Sequence, residues 1–227
     1  MDRLVQITKD GSSTICIPNL DVTYHSRYGA MQESIHVFIQ AGLDYFVEKN
    51  GKQSIIIFEM GFGTGLNALL TLDYATRSNL PVIYEAVELY PLTMEEAATL
   101  NYTEQPSLLL YKDEFKKMHA CNWDEQVEIN PFFRLRKTRQ DLLNYLPLHS
   151  FDLIYYDAFA PSAQPHLWEK TVFDKLYNML SPPGVLTTYC SKGDVRRAMI
   201  ASGFAIEKLQ GPPGKREMLR GTKQTQN

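Results

Sequence analysis

One stretch constrains the fold of this chain more than any other, residues 54–67. Its first half, Ile55-Ile56-Ile57-Phe58, is apolar and rich in β-branched residues, the composition of a strand buried on both faces of a parallel sheet. Its second half sets Gly61, Gly63 and Gly65 at alternate positions and runs into Leu66–Leu72, which has helix-forming residues at apolar spacing. Strand, glycine turn and helix in that order form a nucleotide-binding elbow. The glycines let a ligand approach bare backbone, and the helix N-terminus offers unpaired N–H groups. The fold class expected is therefore α/β, with a mostly parallel, doubly wound sheet.

The rest of the chain extends that plan. Residues 4–8 and 13–17 are β-rich and joined across Asp10-Gly11, a hairpin signal. We read residues 1–23 as a small N-terminal hairpin extension, 24–221 as the main domain and 222–227 as a polar, flexible tail. Ile35, Phe38, Ile39 and Leu43 have helical spacing. The residues before and along this helix, Tyr24, His25, Ser26, Glu33 and His36, either line a site mouth or cap a surface helix. Pro81–Glu88 predicts a second strand ending in an acid, with a helix from Pro91 onward. Glu88 stands 23 positions beyond Gly65, where a doubly wound sheet turns an acid toward ribose hydroxyls. No clear pattern emerges over 101–123. Phe132–Thr138 alternates apolar and basic residues, and Arg139–Leu143 opens a helix that Asp141 can cap.

Phe151–Tyr156 predicts a fourth strand, beside the first, ending in Asp157 and an aromatic, proline-containing loop. A carboxylate there can orient an amine and accept its proton. Phe159 can stack on a base or exclude water. Tyr155 and Tyr156 are read as core, because strand alternation turns one of them away from any site. An amphipathic helix over 166–180, a strand at 185–190, a helix at 193–200 and late strands at 203–209 and 215–221 complete the reading.

The 227 residues suit one substantial core. A net charge of −3 offers no global field for nucleic acid. From Lys192 onward, however, eight basic residues face three acids, which reads as a solvated face or a phosphate-facing patch. Cys16, Cys121 and Cys190 lack metal-ligand spacing, so we expect reduced thiols, no metal and a cytoplasmic protein. The N-terminus lacks a signal-peptide pattern and no apolar run suits a membrane span.

The G-x-G-x-G spacing after Glu59 differs from the G-x-G-x-x-G dinucleotide fingerprint and resembles the first motif of class I S-adenosylmethionine-dependent methyltransferases. Further pieces narrow the likeness: Tyr24-His25-Ser26, Gly29-Ala30 and Glu33; Glu59–Asn67; Asp157–Pro161 with Pro165–Trp168; Thr188-Tyr189; Val195–Arg197; Gly203-Phe204; and Lys215–Leu219. Together, over roughly residues 24–221, they resemble the methyltransferase part of the MnmC family.

The resemblance implies a Rossmann-like sheet with a late antiparallel strand and S-adenosylmethionine as cofactor. It implies methylation of the aminomethyl group on a tRNA wobble uridine, with the anticodon stem-loop as partner. The flavin-dependent oxidase half of that family has no room in this chain, so the resemblance implies a methyltransferase that works alone or beside a separate oxidase acting upstream. The implied cofactor residues are Glu59, Gly61, Gly63, Gly65, Asn67, Glu88, Asp141, Leu142 and Asp157. Asp157 and Phe159 are the implied catalytic pair. Tyr24, Ser26, Glu33, Pro161, Arg196, Arg197, Lys215 and Arg216 are the implied acceptor contacts. Three other readings stay open: a small-molecule amine or carboxylate methyltransferase, a nicotinamide-dependent oxidoreductase, and a binding module without turnover.

Overall fold

The computed structural model describes residues 2–225. Strands β1 (Leu4–Ile7) and β2 (Ser13–Ile17) form the expected hairpin, and β3 (Val22–Thr23) adds a third antiparallel strand to β2. The hairpin is more than an appendage. Helix α1 (Ala30–Ser34) begins after Gly29 with no capping side chain of its own. Its first amides are taken by the hairpin turn: Ala30 N–H donates to Thr8 Oγ1 (3.1 Å), Met31 N–H to Ser12 Oγ (3.1 Å) and Gln32 N–H to Asp10 Oδ2 (3.0 Å). A turn distant in sequence thus does the work of an N-cap. Helix α1 continues through a π-helical stretch, Ile35–Asp44, into α2 (Tyr45–Asn50), which stops at Gly51 in a left-handed conformation.

The main sheet then builds in order. Strand β4 (Ile55–Met60), helix α3 (Leu66–Ser78) and strand β5 (Val82–Val87) are followed by helices α4 (Met94–Ala98) and α5 (Lys112–Ala120). Next come β6 (Gln126–Asn130), β7 (Phe133–Thr138), β8 (Phe151–Tyr156), α6 (Lys170–Met179) and β9 (Leu180–Thr188). Helix α7 (Gly193–Ala201) and strands β10 (Ala205–Gln210) and β11 (Glu217–Lys223) close the chain. The strand order is β10-β11-β9-β8-β4-β5-β7-β6. Strands β9, β8, β4, β5 and β7 run parallel, and β11 and β6 flank them antiparallel. The fourth strand of the sequence reading, β8, does lie beside the first, β4, and the late antiparallel strand is β11.

Four local expectations need correction. Helix α4 starts at Thr93 rather than Pro91, because Thr93 and Glu96 exchange hydrogen bonds in a capping box. Residues 139–143 form a turn instead of a helix. Asp141 Oδ1 accepts Leu143 N–H at 2.8 Å, a local bond that competes with helix propagation before Pro147. Strand β6 was not anticipated, since its polar, half-exposed residues occupy a sheet edge. Thr222 and Lys223 belong to β11 rather than to a frayed tail, and residues 226–227 lie outside the described residues.

Strand β8 is buried along its whole length because the sheet is covered on both faces. Its two tyrosines divide between the faces. Tyr155 packs on Phe38 and Tyr84, and Tyr156 packs on Trp168 and Phe173. Both belong to the core, as alternation requires.

Candidate active site

At the C-terminal ends of β4, β5, β7 and β8 lies a cleft of about 1090 Å³, counting its open mouth. Parallel strands end here and their loops diverge, which leaves a crevice above the sheet. Each strand end delivers a polar group. Strand β4 delivers Glu59 and the glycine loop, β5 delivers Glu88 and Tyr90, β7 delivers Gln140 and Asp141, and β8 delivers Asp157 and Phe159.

The elbow wall is built by backbone. Gly61 and Phe62 N–H both donate to Val87 O (3.0 and 3.3 Å), which ties the turn to β5. Gly63 has φ +49°, and a Cβ there would meet the Tyr24 ring at 3.1 Å. Gly63 N–H donates to Glu88 Oε2 (2.9 Å), and Tyr90 N–H donates to Glu88 Oε1 (2.8 Å). Glu88 is therefore fixed by two amides and keeps lone pairs toward the cleft. Gly65 stays out of the lining. It starts α3 at φ +74° and packs against His119 and Phe62.

Glu59 is fully buried. Burial raises its pKa well above the usual carboxylate range, the Asp157 charge adds to that, and the hydrogen bond from Asn67 opposes it. Asn67 Nδ2 donates to both Glu59 Oε1 (2.9 Å) and Asp157 Oδ2 (3.0 Å). One amide thus joins the two carboxylates. Among the described residues, Glu59 Oε2 and Asn67 Oδ1 are buried acceptors with no close hydrogen-bond partner, the Tyr84 hydroxyl being the neighbour of the Glu59 carboxylate. Buried polar atoms of this kind call for a ligand's donor.

The opposite wall carries Asp157. Burial and the nearby Glu33 carboxylate push its pKa up to about 7, against the Asn67 hydrogen bond and the Lys215 charge. The Phe159 ring meets the Tyr24 ring edge-on at 5.2 Å across the cleft. Gln164 Oε1 accepts Phe159 N–H (3.0 Å), and Trp168 Nε1–H donates to Phe159 O (2.8 Å), so the loop after β8 is rigid. Tyr24 is half-buried, and burial with the Glu88 charge moves its hydroxyl up to about 12. His25 bridges Thr14 Oγ1 (3.2 Å) and Thr64 Oγ1 (3.4 Å), and burial pushes its pKa down to about 4, so it stays neutral.

The remaining expected contacts fall in two groups. Glu33 and Ser26 stay out of the cleft lining, though the Glu33 charge acts on Asp157. Glu33 Oε2 accepts Ser26 N–H (2.7 Å), and Lys215 Nζ donates to Glu33 Oε1. Lys215 thus points inward, away from the solvent-facing role its sequence context suggested. Arg196 and Arg197 do not reach the cleft; they lie on α7, where Arg197 pairs with Asp194. Arg216 is exposed beside Lys215, and Pro161 is half-buried in the loop that carries Phe159. His36 Nε2–H donates to Gln210 O (2.7 Å), and His36 plays no part in the cleft.

Tyr90, Gln140, Gln164 and His166 line the cleft without having been singled out from sequence. All four follow the end of a parallel strand, and that position was the available signal.

Comparison with known proteins bears on what this cleft holds. Residues 111–224 match the sequence profile of a family described as S-adenosyl-L-methionine-dependent methyltransferase. The chain is 32% identical over 228 residues to the tRNA 5-methylaminomethyl-2-thiouridine biosynthesis bifunctional protein MnmC of Aromatoleum aromaticum, with 94% of this chain and 34% of that protein aligned. The protein of the same name from Burkholderia thailandensis is also 32% identical, over 97% of this chain and 35% of its own length. The chain thus spans about a third of the length of these relatives. The crystal structure of MNMC2 from Aquifex aeolicus superposes with a TM-score of 0.77 at 20% identity, covering 97% of this chain and 70% of that one.

Proposed function

Because the chain belongs to the S-adenosyl-L-methionine-dependent methyltransferase family matched over residues 111–224, we propose that it methylates an aliphatic amine, namely the aminomethyl group on a tRNA wobble uridine. The tRNA acceptor follows the MnmC relatives, which are named for tRNA 5-methylaminomethyl-2-thiouridine biosynthesis. The partner would be the anticodon stem-loop, with the upstream carboxymethyl removal performed by a flavin-dependent oxidase, and the setting would be the cytoplasm. Among the described residues no helix is long and apolar enough to cross a membrane.

The elbow wall suits the cofactor. S-adenosylmethionine carries donors at its ammonium, ribose hydroxyls and adenine amine. The cleft offers acceptors: Glu59 Oε2 and Asn67 Oδ1 without close hydrogen-bond partners among the described residues, and the Glu88 and Asp141 carboxylates on its lining. Glu59, Gly61, Gly63, Asn67, Glu88, Asp141 and Leu142 would hold it. When bound, it supplies an electrophilic sulfonium methyl. A nicotinamide reading is not favoured by any of these relatives.

The observation that carries the reading is Asp157. It sits at the end of β8, linked through Asn67 to the motif acid Glu59, with its pKa lifted to about 7. A primary aliphatic amine is mostly protonated at neutral pH, so its lone pair is occupied. Asp157 would accept that proton and aim the freed nitrogen in line with the methyl–sulfur bond. The freed nitrogen would take the methyl, and the sulfonium would leave as a neutral thioether with the bonding pair. Phe159 and Tyr24 would flank the acceptor and exclude water. Arg196 and Arg216 would meet RNA phosphates without reading sequence.

The experiment is incubation with labelled S-adenosylmethionine and tRNA from cells lacking the modification, followed by digestion and nucleoside identification. Label in a methylaminomethyl-uridine is expected. Cofactor binding without any label in RNA would overturn the tRNA reading in favour of a small-molecule amine.

A further inference from the structure

The Glu33–Lys215 ion pair joins residues 182 positions apart, from α1 and from the turn between β10 and β11. Its acid end is buried and its lysine end half-buried, the Lys215 side chain being 32% exposed. The Glu33 side chain is only 7% exposed and its second oxygen is occupied by Ser26 N–H. The Lys215 ammonium also stands 3.7 Å over the Tyr189 ring centroid. The Tyr189 hydroxyl donates to Ala158 O (2.8 Å), the residue directly after Asp157. The pair is therefore coupled by contact to the strand end that carries the candidate base.

Both ends of this arrangement are held in place by the fold. The hairpin turn caps α1 and so fixes where Glu33 projects. The turn carrying Lys215 is closed by Lys215 N–H on Pro212 O (2.9 Å) and Gly211 N–H on Arg216 O (3.1 Å). It packs on Tyr28 so closely that a Cβ on Gly214 would clash with the ring. A buried ion pair contributes little net stability, because desolvation offsets its attraction. Such a pair beside a third ionisable group acts on that group's charge.

We propose that Glu33 and Lys215 are positioning residues for Asp157, Glu33 strengthening it as a proton acceptor and Lys215 keeping its ionised form accessible. Neither need touch the acceptor, and Lys215 is not a phosphate contact. The other groups facing Asp157 are Glu59 and Asn67 from the elbow side, Tyr84 from β5 and Tyr189 after β9. His25 feels Glu33, Lys215 and Asp10 but is neutral. Of the charged neighbours, Glu33 raises and Lys215 lowers the Asp157 carboxyl, so the two act with opposite sign.

This inference rests on the proposed role of Asp157, and its test separates the two. The Asp157 carboxyl is titrated by carbon-13 NMR in aspartate-labelled protein without acceptor, its resonance assigned by loss in Asp157→Asn. Lys215→Met should move the midpoint up by about one pH unit and Glu33→Gln should move it down by about as much. Lys215→Arg should restore the wild-type midpoint. The acid limb of the methyl-transfer pH profile should follow in the same two directions. The double variant Glu33→Gln/Lys215→Met leaves no unpaired buried charge and should titrate between the singles, which covers the event that one single fails to fold. Midpoints that stay fixed, or that move together in one direction, overturn the proposal. Opposite shifts with no methylated nucleoside would leave it standing and sink the tRNA reading instead.

Discussion

The two walls of the cleft are built by different means. The elbow wall comes from short contiguous pieces, residues 59–67, 87–90 and 140–142, each at the end of a parallel strand. Its key groups are held by main-chain bonds, such as Gly63 and Tyr90 N–H on Glu88. The Asp157 wall exposes Tyr24, Asp157 and Phe159 to the cleft and is backed by Glu33, Tyr189 and Lys215, drawn from the two ends and the middle of the chain and held largely through side-chain contacts. A wall built from backbone needs only the fold. A wall built from side chains needs specific residues as well, and this is the wall where function would be tuned. Damage to the first should therefore weaken cofactor affinity, and damage to the second should weaken turnover.

The sharpest way to break this contrast is Asp157→Ala. Loss of a general base costs about 10²–10⁴ in rate. Turnover at saturating cofactor should fall by that range while calorimetric affinity for S-adenosylmethionine changes only a few-fold. An equal loss in both would mean that Asp157 belongs to the elbow wall and that Asn67 couples the walls too tightly for the distinction to hold.

Glu88→Ala is the converse case. It removes an acceptor to the ligand and also strips Gly63 N–H and Tyr90 N–H of their partner. Hydrogen bonds to a charged group are each worth about 1.5–3 kcal/mol, so cofactor affinity should drop by about 10- to 100-fold. Turnover at saturating cofactor should be nearly unchanged. A fall in turnover alone, with affinity intact, would reverse the assignment.

The difference between the walls also explains what could be read from sequence. Glu59, the glycine loop and Glu88 were legible because strand, turn and helix are local patterns with fixed periods, whereas Asp141 reached the site through the likeness, its expected helix being a turn. Asp157 and Phe159 were legible for the same reason, since they end a strand. Glu33 stood among the residues that either line a site mouth or cap a helix, and Lys215 within a basic run read as a solvated or phosphate-facing patch; neither pattern pairs the two. Nothing local in Lys215-Arg216-Glu217 says that the lysine turns inward while its neighbour faces solvent. Tyr189 was quoted within the likeness yet left out of the site, because its role depends on Ala158 and Lys215. The hairpin was recognised as a hairpin. Its capping of α1 depends on a fit between residues 8–12 and 30–32 that no periodicity records.

That cap offers a smaller test on the Asp157 wall. Burial raises the Asp10 carboxyl, but hydrogen bonds from Ser12, Thr8 and Gln32 outweigh it and hold the group below its ordinary value. A carboxylate with a lowered folded pKa contributes stability that is present above its unfolded pKa, near 3.9, and is lost as pH falls through the folded one. Asp10→Ala should cost about 1 kcal/mol at neutral pH, the scale of a lost N-cap, measured by urea unfolding. It should also flatten the wild-type loss of stability below about pH 4. Because α1 carries Glu33, turnover should fall modestly while cofactor affinity holds. Unchanged stability would show that Thr8 and Ser12 cap the helix without help from Asp10.

The smallest effects are expected where the Asp157 wall meets solvent. If Arg216 neutralises an RNA phosphate, Arg216→Gln should weaken tRNA binding equally for all sequences and reduce the slope of log affinity against log salt by about one. Arg196→Gln should do the same from α7. Arg197 is the control. It sits one residue along the same helix, but its guanidinium already pairs with Asp194. Its replacement should leave the salt slope nearly unchanged, because its charge is already balanced locally. Equal slopes lost at Arg196, Arg197 and Arg216 would indicate a diffuse field rather than a footprint. The acceptor side would then be specified by the cleft alone, with Asp157 and its charged pair carrying the discrimination that the surface does not.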